Sequence, residues 1–486
     1  MAASVVSRVG GLGALTAAGQ LIIIGTLPLY SRVFDPGIYG EYVVFVGAFT
    51  VVSVLAGMRY DSAIVLPRRD SIALSLSLLV VLIALAVAGL VAFATLTSSK
   101  LGLAEHGPAF LAKDFGYGLA VATVLGALQR CLTSWCVRHG RFLTIGWAQF
   151  VFCLTTVIAQ LSLIAVMAPL AALIWGYAAA LTFQILSLGA GRRTAIAVAW
   201  APTGAVRGMR VAARKYRRFP TYMVGYALAS SARDRLLQIV IGIGAGTAAV
   251  GRFGLAYRVA FAPNSLIYSA VSPVFYGIAS RGTRVTVGQF AAGLVEALFV
   301  VLVVPYVAFA VEASALTDAV LAEKWRGTGP YLTALAGPAL LLAATCWLDR
   351  AFDSFRRQHV AFLLEASFTV VAITLVACLA RLIDPVAVTW VFAVLAFCYY
   401  WVYFFVTFAA CGFDLAQFRH ACLSGTVALA MALVFGILVH QTLPLTWRIP
   451  AYAGVMAAVI VAWLRFRAGA DMLRMLVQSR VPGVPR

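Results

Sequence analysis

Long apolar runs recur along the whole chain, each close to the length of a membrane-crossing helix and each ended by a short polar break. A helix needs about 20 mostly apolar residues to cross the hydrocarbon core. About fourteen runs of that kind can be cut, at roughly 11–32, 39–58, 71–97, 115–137, 142–166, 169–190, 219–243, 248–275, 288–311, 329–348, 358–380, 385–411, 421–441 and 448–466. The chain is 63% hydrophobic and 11% charged, with mean hydropathy +0.96. A soluble domain carries about 25% charged residues. The pattern therefore predicts an all-α polytopic membrane protein. The segments between runs do not exceed about 30 residues, too short for a folded soluble domain.

The first run follows Arg8 and continues to about Tyr30. That is too long for the apolar part of a signal peptide, so it reads as the first span. Net charge is +20. In a membrane chain this excess follows from positively charged cytoplasmic loops rather than from nucleic-acid binding. With the N-terminus inside, the cytoplasmic segments hold about 25 Lys and Arg and the outer ones about 8. Such asymmetry predicts both termini in the cytoplasm and an even number of spans.

Eight of these charges lie in one loop, 191–218: Arg192, Arg193, Arg207, Arg210, Arg214, Lys215, Arg217 and Arg218. That loop divides the chain into a six-helix bundle at 1–190 and a second at 219–412. Two further helices and a basic tail occupy 413–486. Tyr39-Gly40-Glu41-Tyr42 opens the second span and Val250-Gly251-Arg252-Phe253 opens the eighth. Six helices separate them, so the halves share an orientation. The expected architecture is a parallel repeat around a central cavity, a layout common among transporters.

Charges inside spans are costly in lipid and mark paths through the protein. Arg233-Asp234-Arg235 lies in the middle of the run 219–243. On a helical wheel, Ser230, Ser231, Asp234, Arg235 and Gln238 share one face of about 140°, with Arg233 on its flank. Arg32, Glu41, Arg59, Asp61, Arg130, Arg252 and Arg258 are candidates for the same cavity. Arg130 and Arg258, about two turns inside their spans, either line the cavity or snorkel to the interface. The same two readings apply to Arg32, Arg59 and Arg252 at helix ends. Asp234, Glu296 and Glu365 are candidate protonation sites for ion coupling, with structural pairing as the alternative. A basic cavity fits an anion, and the planar guanidinium suits phosphate. The residue choice alone does not fix phosphate, since the chain uses Arg almost to the exclusion of Lys.

The sequence contains no HExxH, GxxxxGK(S/T), GxSxG or DxD. Gly242, Gly244 and Gly246 end a span rather than follow a strand, which suits a turn and not a nucleotide loop. The eight cysteines form no CxxC pair and read as small apolar residues. No catalytic residue, metal or cofactor is expected. Pro28, Pro263, Pro305 and Pro338 lie within spans, where each removes a helical hydrogen bond and makes either a hinge or a static kink.

Several stretches resemble the Wzx-type polysaccharide flippases, the lipopolysaccharide and O-antigen exporters of the multidrug/oligosaccharidyl-lipid/polysaccharide superfamily. Tyr30-Ser31-Arg32-Val33-Phe34-Asp35-Pro36-Gly37-Ile38-Tyr39-Gly40 is similar to that family's first outer loop, and Met58-Arg59-Tyr60-Asp61 through Pro67 to its first inner loop. Arg217-Arg218-Phe219-Pro220, Val271-Ser272-Pro273-Val274-Phe275-Tyr276 and Glu323-Lys324-Trp325-Arg326-Gly327 resemble later segments in the same order. The resemblance implies two six-helix bundles plus two extra helices. It implies a transporter, not an enzyme, that moves undecaprenyl-pyrophosphate-linked oligosaccharide across the bacterial inner membrane by alternating access. Membrane lipid is an expected partner, as are a polysaccharide polymerase and a chain-length protein. The rivals are a multidrug exporter of the same superfamily, which should carry an acidic cavity, and a membrane polymerase or ligase, which should carry a long catalytic outer loop.

Overall fold

The computed structural model describes residues 2–67, 69–100, 113–189, 205–217, 219–225, 227–228, 246–279, 282–355 and 357–465. No strand occurs among them. Eleven helices among the described residues are long and apolar enough to cross a membrane, and Thr446–Val461 is a shorter apolar helix. Each of the fourteen expected runs coincides with a described helix except 219–243. Only its first turn, the π-helical Phe219–Met223, is described. Arg233, Asp234, Arg235 and Gln238 lie outside the described residues.

The chain forms two compact units, one of Met1–Gly254 with Glu365–Pro385, the other of Leu255–Leu364 with Val386–Arg486. In the first, α1 (Ala2–Gly25) and α2 (Leu27–Val33) replace the single expected first span. Pro28 has no N–H to offer the carbonyl one turn back, so the helix breaks at Thr26. The Thr26 hydroxyl donates to the carbonyls of Ile22 and Ile23 at 2.9 and 3.0 Å, so the break leaves them hydrogen-bonded. Pro305 and Pro338, in contrast, sit inside continuous helices. The unit continues with α3 (Pro36–Gly57), α4 (Tyr60–Ala63), α5 (Asp70–Lys100), α6 (Lys113–Arg138), α7 (Phe142–Leu163) and α8 (Pro169–Gly189).

Part of the basic stretch expected as a loop is helical: α9 (Ala205–Lys215). Its Gly208 and Ala212, with Tyr216 just past its end, recur every four residues and form one apolar stripe. Ala212 is buried in the core of α3, α5 and α6, while Arg210 and Arg214 stay exposed. That core is made largely of small residues, Ala56, Ala63, Ala73, Ala84 and Ala127 among them. In a membrane, where lipid competes with apolar side chains, such residues let backbones approach and gain packing energy.

A close backbone approach joins α3 to the start of α10 (Thr247–Ala279). A Cβ placed on Gly40 would strike the Thr247 carbonyl and lie 2.9 Å from the Gly251 nitrogen. One placed on Gly251 would strike the Pro36 carbonyl and lie 3.1 Å from the Gly40 nitrogen. The contact is reciprocal, and it pairs the two glycines that the sequence comparison of the second and eighth spans had aligned.

The second unit holds the rest of α10, then α11 (Arg284–Val311), α12 (Ala313–Val320), α13 (Gly329–Thr345), α14 (Asp349–Ser354), α16 (Pro385–Cys411), α17 (Leu415–Thr442) and α18 (Leu445–Arg465). The intervening α15 (Gln358–Leu379) falls mostly in the first unit. α17 starts six residues before the run at 421–441, because Asp414 caps it by accepting from the Ala416 N–H at 2.9 Å. The core here is aromatic rather than small: Phe275 meets Trp347 edge-on at 4.7 Å, with Phe290, Phe352, Phe404 and Phe408 around them.

Candidate functional site

α3 ends at Gly57, and the next two residues, Met58 and Arg59, have φ of 44° and 56°. These are the only two non-glycine residues with positive φ among the described residues. The left-handed region costs roughly 1–2 kcal/mol for a residue with a Cβ, and strain of this kind gathers at functional sites. The loop is held in place at both ends. Tyr60 donates its hydroxyl to the Ala213 carbonyl at 3.4 Å. Arg138 binds Asp70 through two nitrogens, at 3.0 and 2.8 Å, and reaches the carbonyls of Ile64, Val65 and Pro67.

The strained turn delivers Arg59 and Asp61 to the side of α6 that carries Arg130. Arg130 Nη2 donates to the Ser53 carbonyl at 3.0 Å, and its Nε stands 3.7 Å from Asp61 Oδ2. Arg59 lies within electrostatic reach of Arg130. Three of the sequence candidates are thus brought together: two guanidiniums against one carboxylate, a net positive cluster within a membrane-spanning unit. The cluster is incompletely satisfied. Arg59 Nε, Asp61 Oδ1 and Ser53 Oγ are buried without a hydrogen-bond partner among the described residues. At 3.7 Å the Arg130–Asp61 pair is also longer than a charge-assisted hydrogen bond of about 2.7–2.9 Å. Arg130 keeps 25% of its side chain accessible, so a ligand can reach it. Chemically, the arrangement is suited to an anion that accepts several N–H bonds at once.

The remaining candidates are dispersed. Glu41 and Arg252 flank the Gly40–Gly251 contact, and Arg252 Nε is buried without a hydrogen bond among the described residues. Arg32 is exposed in the last turn of α2. Arg258 lies along α10 in the second unit and is half-buried. Glu296 faces His420 at 3.7 Å, and Glu365 is buried.

Two clusters in the second unit escaped sequence reasoning. Arg350 donates from Nε to Ser272 at 3.0 Å, from Nη1 to Asp353 at 3.1 Å and from Nη2 to the Tyr268 hydroxyl at 2.5 Å. The Tyr268 hydroxyl in turn donates to Asp349 Oδ2 at 3.0 Å. Farther along, Glu312 is held by Arg448 Nη1 at 2.8 Å and His440 Nδ1 at 3.1 Å. Arg448 also caps the end of α17 through the carbonyls of His440 and Leu443, both at 2.8 Å. The usable signal was there for the first cluster, since Asp349-Arg350 follows a span directly. The second joins span ends that look like ordinary flanking charges.

An apolar cavity of about 460 Å³ lies within the second unit, lined by Trp390, Phe397, Val311 and Pro338 among others. Its two lining hydroxyls are used internally: Thr333 donates to Ala310 and Tyr306 to Ala260.

By sequence, residues 30–330, more than half of the chain, match the polysaccharide biosynthesis protein family. The chain belongs to that family. Solved structures of MurJ and of MATE transporters share the fold of this family member. It matches the lipid II flippase MurJ in its inward closed conformation over 96% of this chain and 99% of that one, with TM-score 0.71 and 12% identity. It matches an inward-facing MATE-family multidrug resistance transporter over 84% and 96%, with TM-score 0.61 and 12% identity. The Vibrio cholerae MATE transporter VcmN aligns over 86% and 99%, with TM-score 0.58 and 14% identity. No curated protein matches by sequence. The polysaccharide biosynthesis family and the polytopic all-α fold are those that the sequence motifs implied.

Proposed function

We propose that this family member is a flippase. It carries undecaprenyl-pyrophosphate-linked oligosaccharide repeat units from the cytoplasmic to the periplasmic leaflet of the bacterial inner membrane, by alternating access. The observation that carries this reading is the Arg59–Asp61–Arg130 cluster, a net positive, under-satisfied site inside a membrane-spanning unit. Two forked guanidiniums are matched to the oxygens of a diphosphate. The charge bias of the loops puts this end of α3 on the cytoplasmic side, where such a substrate is made, and both termini with it. Family membership supports polysaccharide assembly, and the fold is shared with a lipid II flippase. The apolar cavity of the second unit, with no free polar group on its two hydroxyl-bearing residues, is suited to a hydrocarbon chain.

MATE transporters share the fold as well. An exporter of organic cations would need surplus carboxylate where this site has surplus guanidinium, so the flippase is the better reading. Arg233, Asp234, Arg235 and Gln238 remain proposed contributors to the path. Asp234, Glu296 and Glu365 remain proposed coupling groups. A polymerase and a chain-length protein are the proposed partners downstream.

Deleting the protein should trap lipid-linked repeat units on the cytoplasmic face, and wild type should restore surface polysaccharide. Arg130→Gln and Arg235→Ala should reach the membrane and fail to restore it. Normal surface polysaccharide with Arg130→Gln would remove the anion site from the mechanism. Repeat units that reach the periplasm unpolymerised in the deletion strain would make this protein a polymerase instead.

A further inference from the structure

The register that pairs Gly40 with Gly251 also pairs Ser53 with Asn264, Gly57 with Tyr268 and Asp61 with Ser272. The structure supplies an independent check on it within each unit. In the first, the Arg130 side chain donates to the carbonyl of Ser53 at 3.0 Å. In the second, the Cys346 side chain meets the carbonyl of Asn264 at 3.9 Å. Arg130 sits on the fourth helix of its half and Cys346 directly after the fourth helix of the other, and both acceptors sit on the second. The arginine position of the first half is therefore a cysteine in the second, and Arg350, one turn further along, binds Ser272, the mate of Asp61.

The two sites differ in charge and in space. Around Arg130 there are two guanidiniums and one carboxylate, Asp61. Among the described residues, Arg350 pairs with two carboxylates, Asp349 and Asp353. Each of Arg350's three nitrogens donates within its own unit, one of them to the Tyr268 hydroxyl. The residue that takes Tyr268's place in the first half is Gly57. A Cβ there would lie 3.2 Å from Asp61 Oδ1 and 3.8 Å from Arg130 Nε, so this glycine faces the charged pair directly.

We infer that the chain is an internal repeat whose two matching positions differ, that of this pair only the first-half site among the described residues is an anion site, and that Gly57 is the position that makes room for it. Tyr268 is the plug at the matching position, where its ring and hydroxyl occupy the guanidinium. The ligand class is a diphosphate, and this assignment rests on the flippase reading. Gly57 acts by leaving room for the Asp61 carboxylate and Arg130 Nε to lie against its backbone, not by touching the ligand with a side chain.

The test is calorimetric titration of inorganic pyrophosphate into the full-length protein in nanodiscs, with thermal unfolding run alongside. Wild type should bind one pyrophosphate per chain, and a polyprenyl diphosphate doped into the bilayer should displace it. Gly57→Tyr should weaken binding by about tenfold or more, the equivalent of one lost charge-assisted hydrogen bond. Gly57→Ala, a smaller intrusion that spares folding, should weaken it in the same direction. Tyr268→Phe and Arg350→Gln should leave it unchanged. Wild-type affinity in a folded Gly57→Tyr protein, or a second bound ion lost on Arg350→Gln, overturns the inference and leaves the flippase reading standing. If Arg130→Gln binds pyrophosphate as wild type does, or the polyprenyl diphosphate fails to displace it, the flippase reading fails first.

Discussion

Glu312 and Asp61 are both carboxylates buried in helical bundles, with side chains 3% and 8% accessible, yet their surroundings differ. Glu312 receives a direct 2.8 Å bond from Arg448 and a second contact from His440, and the same arginine caps the end of α17. Asp61 has one guanidinium at 3.7 Å and a buried oxygen without a hydrogen bond among the described residues. A buried charge that is fully bonded rigidifies the elements that carry it, whereas an incompletely bonded one leaves capacity for a ligand. Glu312 accordingly fastens α17 and α18 to the helix they pack against. Asp61 orients Arg130 without consuming it.

The sharpest way to break this contrast is Arg448→Ala. Leaving Glu312 buried and without its guanidinium should lower stability by about 3–5 kcal/mol, read as a fall in the detergent-unfolding midpoint. An unmoved midpoint would mean that Glu312 is no fastener. Arg130→Ala should cost only about 1 kcal/mol, because the pair is long and water can reach the vacated space. A loss as large as that of Arg448→Ala would make the two clusters equally structural. The smallest effect belongs to Arg326→Ala. Arg326 pairs with Glu323 at 3.2 Å, but the two side chains are 70% and 82% accessible. Removing the pair should change stability by less than about 0.5 kcal/mol.

Most spans were legible because run length and loop charge are local properties: apart from 219–243, the expected runs overlap described helices, though α1 and α17 begin nine and six residues early. Pro28 was legible as a break for the same reason. Arg59, Asp61 and Arg130 were each nominated from sequence, but not as a group. Asp61 meets Arg130 only because two non-glycine residues turn left-handed after Gly57, a conformation no composition rule predicts. The Glu312–Arg448 pairing is between distant parts of the chain, and each residue alone looks like an interfacial charge. The helix α9 was missed because its basic residues outweighed the four-residue stripe of Gly208, Ala212 and Tyr216. The eighth span gave the repeat register through Gly251, yet the consequence for Asp61 and Ser272 needed the side-chain donors to be seen.

Met58 and Arg59 carry a further consequence. A glycine at position 58 would end α3 without strain, as glycine commonly does at helix ends. The chain instead places a methionine there and then repeats the unfavourable conformation with an arginine. Met58→Gly thus stands as a substitution that stabilises the fold while loosening the aim of a guanidinium. On the proposed function, the turn is a place where folding and the aim of an anion-binding guanidinium pull in opposite directions.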